Sequence, residues 1–223
     1  MYQYILFDLD GTLTDPKEGI TKSVQHALRH FGQEVADLDS LCKYIGPPLG
    51  ESFMRFGGIA QDEVDAAIAK YREYFGVKGI YENKLYDRVP ETLQALKSVG
   101  CKVILATSKP TVYAVKILKH FGIFDLFDVV AGSELSGERV KKAEVIEYAL
   151  ANAGITDRAA AVMIGDREHD ILGAKQIGLA CVGVLHGYGG REELESAGAD
   201  VILEDVKAVR TWLLEAERSA KCK

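Results

Sequence analysis

The chain has little that would tie it to a secreted scaffold, a membrane or a nucleic acid. Its four cysteines (Cys42, Cys101, Cys181 and Cys222) are scattered through 223 residues without a C-x-x-C spacing. No disulfide framework is expected, and the thiols read as free in a reducing cytoplasm. No apolar run approaches the roughly 20 residues needed to cross a bilayer. The N-terminus starts directly on a strand-like run, without the charged region and long apolar stretch of a signal peptide. Basic excess is missing as well: 27 Lys and Arg against 33 Asp and Glu give a net charge of −6, which disfavours non-specific binding to nucleic acid or an anionic membrane. An anionic substrate would need local positive charge, from a metal or particular lysines. No internal repeat stands out. What remains, 48% hydrophobic and 27% charged, is the composition of a globular protein with one large domain, or a core carrying a smaller appendage.

Short apolar runs recur: "YILF" (4–7), "KVILAT" (102–107), "FDVVAG" (127–132), "AAAVMIG" (159–165), "ACVGVL" (180–185) and "DVILED" (200–205). They are rich in Val and Ile and lack strict alternation, which suits strands buried on both faces of a parallel sheet. Between them lie helical patterns over 90–99, 110–121 (with Val112, Val115, Leu118 and Lys119 at helical spacing) and 142–153, each followed by Gly. Strand–helix alternation implies right-handed βαβ units and a doubly wound, Rossmann-like α/β core. A closing helix carries Val206, Val209, Trp212 and Leu213.

The alternation breaks between Pro16 and Gly79, where the pattern is helical. Ile20, Val24, Ala27 and Phe31 make one stripe, ended by Gly32; Val64, Ile68, Tyr71 and Phe75 make another, ended by Gly76. The intervening "YIGPPLGESF" (44–53) reads as a shaped loop. A helical cap over 16–79 is therefore expected, inserted into a core formed by 1–15 and 80–223. Its loop Gly46 to Ser52 is a candidate for substrate recognition.

The first run stops at two carboxylates, Asp8 and Asp10. A calcium loop starting at Asp8 fails, because its sixth position would be Leu13 rather than Gly and its twelfth Gly19 rather than Glu. In a doubly wound sheet, ligands bind beyond the carboxyl ends of the strands. There the first run delivers Asp8, Asp10, Gly11 and Thr12; the second delivers Thr107, Ser108 and Lys109; the fourth delivers Asp166, with Asp170 four residues on; and a helix start delivers Lys141 or Lys142. Each turn needs only one polar residue, so turn chemistry accounts poorly for such convergence; His169, in the same stretch as Asp166, reads as a solvated helix residue. Clustered carboxylates repel one another unless a divalent cation binds them. Oxygen donors without a His or Cys cluster favour Mg²⁺. Backbone N–H groups at Gly11 and at a helix start, with Thr107, Ser108 and Lys142, would cradle a phosphoryl group. Asp8 could then act as nucleophile while Asp10 carries a proton to the leaving oxygen.

"FDLDGTLTD", "TSK", a lysine at a helix start and "GDREHD", in that order, resemble the haloacid dehalogenase superfamily, specifically its phosphoglycolate phosphatase-like phosphatases with a helical cap. The resemblance spans essentially the whole chain. It implies a Mg²⁺-dependent phosphohydrolase that cleaves a small phosphorylated metabolite through an aspartyl-phosphate on Asp8, with Asp10 as general acid and then base. Metal ligands would be Asp8, Asp10 through its carbonyl, Asp166 and Asp170. Thr107 would bind the phosphoryl group, and "KAEVI" aligns Lys142 with the family's lysine. Asp10 argues against the dehalogenases and the phosphonate-cleaving members. A phosphomutase of the β-phosphoglucomutase type shares all four motifs, although "GPPLGES" lacks the Arg of the mutase cap loop. A phospho-accepting receiver module would need about half this length and no helical insertion. Substrate identity and oligomeric state stay open.

Overall fold

The computed structural model describes residues 2–221, with side chains through 215, so Cys222 lies outside it. The chain divides into two compact units, Met1–Thr14 with Leu85–Lys223, and Asp15–Lys84.

The first unit is built on six parallel strands: β1 (Tyr4–Phe7), β4 (Lys102–Pro110), β5 (Val129–Ser133), β6 (Ala161–Gly165), β7 (Ala180–Val184) and β8 (Val201–Leu203). Their order is β5-β4-β1-β6-β7-β8. Ile5, Leu6 and Phe7 are all fully buried, so the unalternating apolar run reflects cover on both faces. Leu6, Ile104, Ala131, Met163 and Cys181 share one cluster with Val145, Ile146 and Ala149 of α6 (Lys142–Asn152) and Ile171 and Ala174 of α7 (Glu168–Gln176). The chain adds β4 and β5 outward on one side of β1, then returns to build β6 to β8 on the other. The reversal leaves the ends of β1, β4 and β6 side by side, which is where such sheets bind ligands.

Two expectations shift here. The second run extends to Pro110, because the strand continues through Thr107–Lys109. On α5 (Thr111–His120) the buried positions are Ala114, Ile117 and Leu118; of the expected stripe Leu118 holds, Val115 is half-buried, and Val112 and Lys119 are exposed. On the last helix, α9 (Val206–Lys221), Val206, Val209 and Leu213 are buried, and Trp212 lies against Tyr2 with ring centroids 5.8 Å apart. The remaining helices of this unit are α4 (Val89–Ser98) and α8 (Arg191–Ser196).

The second unit holds α1 (Lys17–His30), a 3₁₀ segment (Leu38–Tyr44), α2 (Leu49–Gly57) and α3 (Val64–Tyr74). Ile20, Val24 and Ala27 are buried on α1 as expected, but Leu28, not Phe31, completes the stripe. Phe31 lies just past the helix and is half-buried. Ile68 is also only half-buried. Gly76 does not end the third helix. The backbone widens into one π turn over Phe75–Gly79, with the Ile80 N–H donating to the Phe75 carbonyl at 2.8 Å. A five-residue spacing lets both Phe75 and Ile80 bury their side chains. The expected loop over 44–53 shrinks as well: Pro48 caps α2, its carbonyl accepting the Ser52 N–H at 3.0 Å, and Leu49, Glu51 and Ser52 are helical. The Gly and Pro signal marked a helix start. Two-residue strands, β2 (Thr14–Asp15) and β3 (Lys84–Leu85), pair where the chain leaves and re-enters the first unit. Among the described residues no helix is long and apolar enough to cross a membrane.

Candidate active site

The β1 strand hands the chain straight to Asp8, whose N–H still pairs with the Ile164 carbonyl of β6 at 2.9 Å. The backbone then folds around one acceptor. The Leu9 carbonyl takes the N–H groups of Thr12, Leu13 and Thr14 at 3.3, 2.9 and 3.0 Å, so the carboxylates leave a tightly fixed turn. Gly11 is required twice over: its φ is +85°, and a Cβ there would sit 2.2 Å from Asp166 Oδ2.

From β6 comes Asp166, fully buried, with Thr12 Oγ1 donating to one oxygen at 3.2 Å and the Tyr188 N–H to the other at 2.8 Å. Asp170 follows in the first turn of α7 and accepts the Arg167 N–H at 3.1 Å. The first residue of α6 is Lys142, whose Nζ lies 2.8 Å from Asp8 Oδ1, 2.8 Å from Asp170 Oδ1 and 3.1 Å from the Ala106 carbonyl. Lys141 is exposed. Of the two lysines left open by the sequence, Lys142 is the one brought to the carboxylates.

Carboxylate oxygens of Asp8, Asp166 and Asp170 lie within 4.8 Å of one another. Burial and the neighbouring Asp170 push the Asp166 carboxyl well above its usual range. Burial also raises Asp170, against the pull of Lys142. Burial opposes the charge on Lys142, yet Asp170 and Asp8 hold its pKa above the ordinary lysine value. Three carboxyl groups share one ammonium, so ionising all of them leaves negative charge that the protein does not compensate. All the donors are oxygens. That donor set fits a divalent cation.

Asp10 stands apart from this cluster. Its Oδ2 lies 2.6 Å from Lys109 Nζ, and both side chains are nearly buried. Burial raises its pKa and the Lys109 charge opposes the rise. Thr107 is buried and its Oγ1 accepts the Lys109 N–H at 3.3 Å; a hydroxyl that accepts can still donate. Ser108 is half-buried, and its carbonyl accepts Ser133 Oγ at 2.7 Å. His169 is not fully solvated, its side chain being 30% exposed, but it is not among the clustered carboxylates.

Two features escaped the sequence reading. One is the Lys109–Asp10 pair, for which the only signal was a lysine at a strand end. The other is "HGYGG" (186–190), directly after β7. Its Tyr188 N–H holds Asp166, its His186 Nε2 lies 3.0 Å from the Thr12 carbonyl, and a Cβ at Gly187 would fall 2.3 Å from Asp166 Oδ2. Three glycines within six residues of a strand end were the available clue.

The family model described as haloacid dehalogenase-like hydrolase matches residues 5–184. A 5'-nucleotidase from Pseudomonas aeruginosa is 46% identical over 95% of this chain and 96% of its own. The tyrosine-protein kinase PtkA of Mycobacterium tuberculosis is 37% identical over 90% of this chain and 68% of its own. Among solved structures, a predicted phosphatase from Clostridium acetobutylicum superposes with a TM-score of 0.93 at 46% identity, covering 96% of this chain and 99% of that one.

Proposed function

The chain belongs to the haloacid dehalogenase-like hydrolase family, and we propose that it is a Mg²⁺-dependent phosphohydrolase that cleaves small phosphate monoesters through a phosphorylated Asp8. The observation that carries this reading is the pairing of two unlike carboxylates two residues apart. Asp8 faces Lys142 within the acidic cluster, and Asp10 faces Lys109 outside it.

Asp8, Asp166 and Asp170 would hold the cation, with the Asp10 carbonyl as a further oxygen. When bound, the cation supplies neutralisation of phosphoryl and carboxylate charge. The protein groups do the rest. Lys142 restrains Asp8 and offsets its repulsion from Asp170. Thr107 and Ser108 orient the phosphoryl oxygens; the Gly11 N–H is taken by the Thr14 carbonyl at 2.8 Å, so Gly11 serves the turn that carries Asp10 and not the phosphoryl cradle expected of it. An Asp8 oxygen forms a bond to phosphorus as the ester P–O bond breaks, and Asp10 gives its proton to the departing alkoxide. Asp10, now a carboxylate, takes a proton from water as the water oxygen attacks phosphorus. The acyl-phosphate bond breaks and Asp8 is restored. The helical unit is assigned the role of a cap that selects among substrates. The 46% identity to a 5'-nucleotidase puts nucleoside 5'-monophosphates at the head of the substrate panel, beside phosphoglycolate, sugar phosphates and pyrophosphate.

The test is phosphate release from that panel and from p-nitrophenyl phosphate, by metal-stripped protein with and without Mg²⁺. Release restored by Mg²⁺ is expected. Undiminished release in chelator, or none from any monoester, would overturn the reading.

A further inference from the structure

Two lysines are buried among the described residues, Lys109 and Lys142, and the proposed reaction uses only the second. Burying an ammonium is costly unless it is paired. Lys109 is paired with Asp10, and it is held there by unusual backbone. The register of β4 against β5 shifts between Ala106, opposite Ala131, and Pro110, opposite Ser133. Four steps along β4 therefore match two along β5, and Thr107, Ser108 and Lys109 occupy the excess. Each end of this bulge is fastened. Ser133 Oγ donates to the Ser108 carbonyl at 2.7 Å, Thr111 Oγ1 donates to the Ser133 carbonyl at 3.2 Å, and the Lys109 N–H donates to Thr107 Oγ1 at 3.3 Å. The Lys109 carbonyl also passes so close to Gly132 that a Cβ there would lie 2.4 Å away. A bulge fixed on this many sides re-aims one side chain, which is a common use of such irregularities.

What it aims at is half of a carboxylate. Lys109 Nζ takes Asp10 Oδ2 at 2.6 Å, while no protein group among the described residues hydrogen-bonds the buried Oδ1. Free rotation about the carboxylate torsion would scramble the two oxygens, since that torsion is broad and roughly two-fold. With one oxygen tethered, the other is fixed. We infer that Lys109 is a positioning residue for Asp10: it clamps Oδ2 so that Oδ1 is the oxygen that gives and takes the proton. This rests on the reading of Asp10 as the general acid and base. Lys109 itself transfers nothing and touches no substrate.

The clamp makes its own predictions. Misplacing a catalytic group by about 1 Å can cost on the order of a hundredfold, so Lys109→Met should lower kcat roughly ten- to a hundredfold for an alkyl phosphate. The loss should be smaller for p-nitrophenyl phosphate, whose leaving group needs no proton, and KM should move little. Lys109→Gln, whose amide can still donate to Oδ2, should keep more kcat than Lys109→Met and serves if the Met variant folds poorly. The decisive measurement is a double-mutant cycle with Asp10→Asn, read as kcat for p-nitrophenyl phosphate. If Lys109 acts through Asp10, Lys109→Met should cost little further in the Asp10→Asn background. An equal cost in both backgrounds, a rise in KM alone, or no loss of kcat would overturn the clamp. The parent reading fails separately: Asp10→Asn alone would then cost the same for alkyl and aryl esters.

Discussion

The two compact units treat charge in opposite ways. Every buried charged residue among those described (Asp8, Asp10, Lys109, Lys142, Asp166 and Asp170) belongs to the sheet unit; the buried polar residues of the helical unit are Thr21, Ser23 and Ser52, all neutral. Its charges lie mostly at the surface, as in the pairs of Lys17 with Asp39, Lys22 with Glu18, and Lys70 with Glu73, while the Lys22–Glu82 pair is half-buried. Exposed pairs of this kind contribute little. Buried ones are expensive to assemble, and a fold keeps them where they perform chemistry. Under the proposed function the reaction belongs to the sheet unit, which holds every buried charge, and the helical unit would contribute to substrate choice through shape and surface.

The hardest test of that division is Asp8→Asn. It keeps the side chain's size but removes the nucleophile, so steady-state turnover should fall by several orders of magnitude, to background. The helical unit has no buried carboxylate or ammonium to replace it. Appreciable turnover in this variant, with reversion to Asp excluded by mass spectrometry, would break the comparison.

A middle-sized effect concerns the acidic cluster and has a defined pH sign. Burial, reinforced by Asp170, raises the Asp166 carboxyl above its ordinary value of 3.8, and burial raises Asp170 too. A group whose folded pKa is raised adds stability below its unfolded pKa and loses it as pH climbs through the folded value. Metal-free protein should therefore lose stability from this cluster as pH rises above about 4. A cation competing with those protons should stabilise more at pH 8 than at pH 5. At a hundredfold excess over Kd the gain is about 2.7 kcal/mol, or roughly 5–10 °C in Tm for a chain of this size. Thermal melts with and without Mg²⁺ at the two pH values check this. Asp166→Asn should flatten the response, whereas a Mg²⁺ shift that is equal at both pH values, or that survives in Asp166→Asn, would place the cation elsewhere.

Legibility divided along the same boundary. In the sheet unit, apolar runs and strand-end residues were readable because each strand is covered on both faces and delivers its polar residue at a fixed place; Asp8, Asp166, Asp170 and Lys142 meet as their positions implied. Lys109 was visible as a residue but not as a partner, because its aim depends on a register shift that only the pairing of β4 with β5 creates. The loop after β7 was missed because its contribution comes largely from its backbone: a Tyr188 N–H and glycines without side chains. In the helical unit the stripes held except at Phe31 and Ile68, both half-buried, and the stop at Gly32 held while the one at Gly76 did not. Gly76 reads as a stop, yet the π turn carries on through it because Phe75 and Ile80 both gain burial that way. The Gly–Pro stretch at 46–48 reads as a loop, yet Pro48 starts a helix.

The mildest expected change lies in the helical unit. Leu49 and Glu51 lie in the first turn of α2, Leu49 half-buried and Glu51 exposed. Ser52 beside them is buried and would report on folding instead. Under the cap proposal, Glu51→Gln and Leu49→Ala change what the helical unit offers to the non-phosphoryl part of a substrate. Surface changes of this kind usually alter stability by about 0.5 kcal/mol or less, so Glu51→Gln should leave Tm nearly unmoved, while half-buried Leu49 should cost somewhat more. Neither should affect turnover of p-nitrophenyl phosphate by more than a few-fold. The ranking of nucleoside monophosphates, phosphoglycolate and sugar phosphates by kcat/KM should nonetheless shift, by about tenfold between members, the low end of what a single apolar contact discriminates. A ranking that holds in both variants while only Tm falls would make this turn of α2 purely structural, and the division between reacting and selecting units would have to be drawn through other residues.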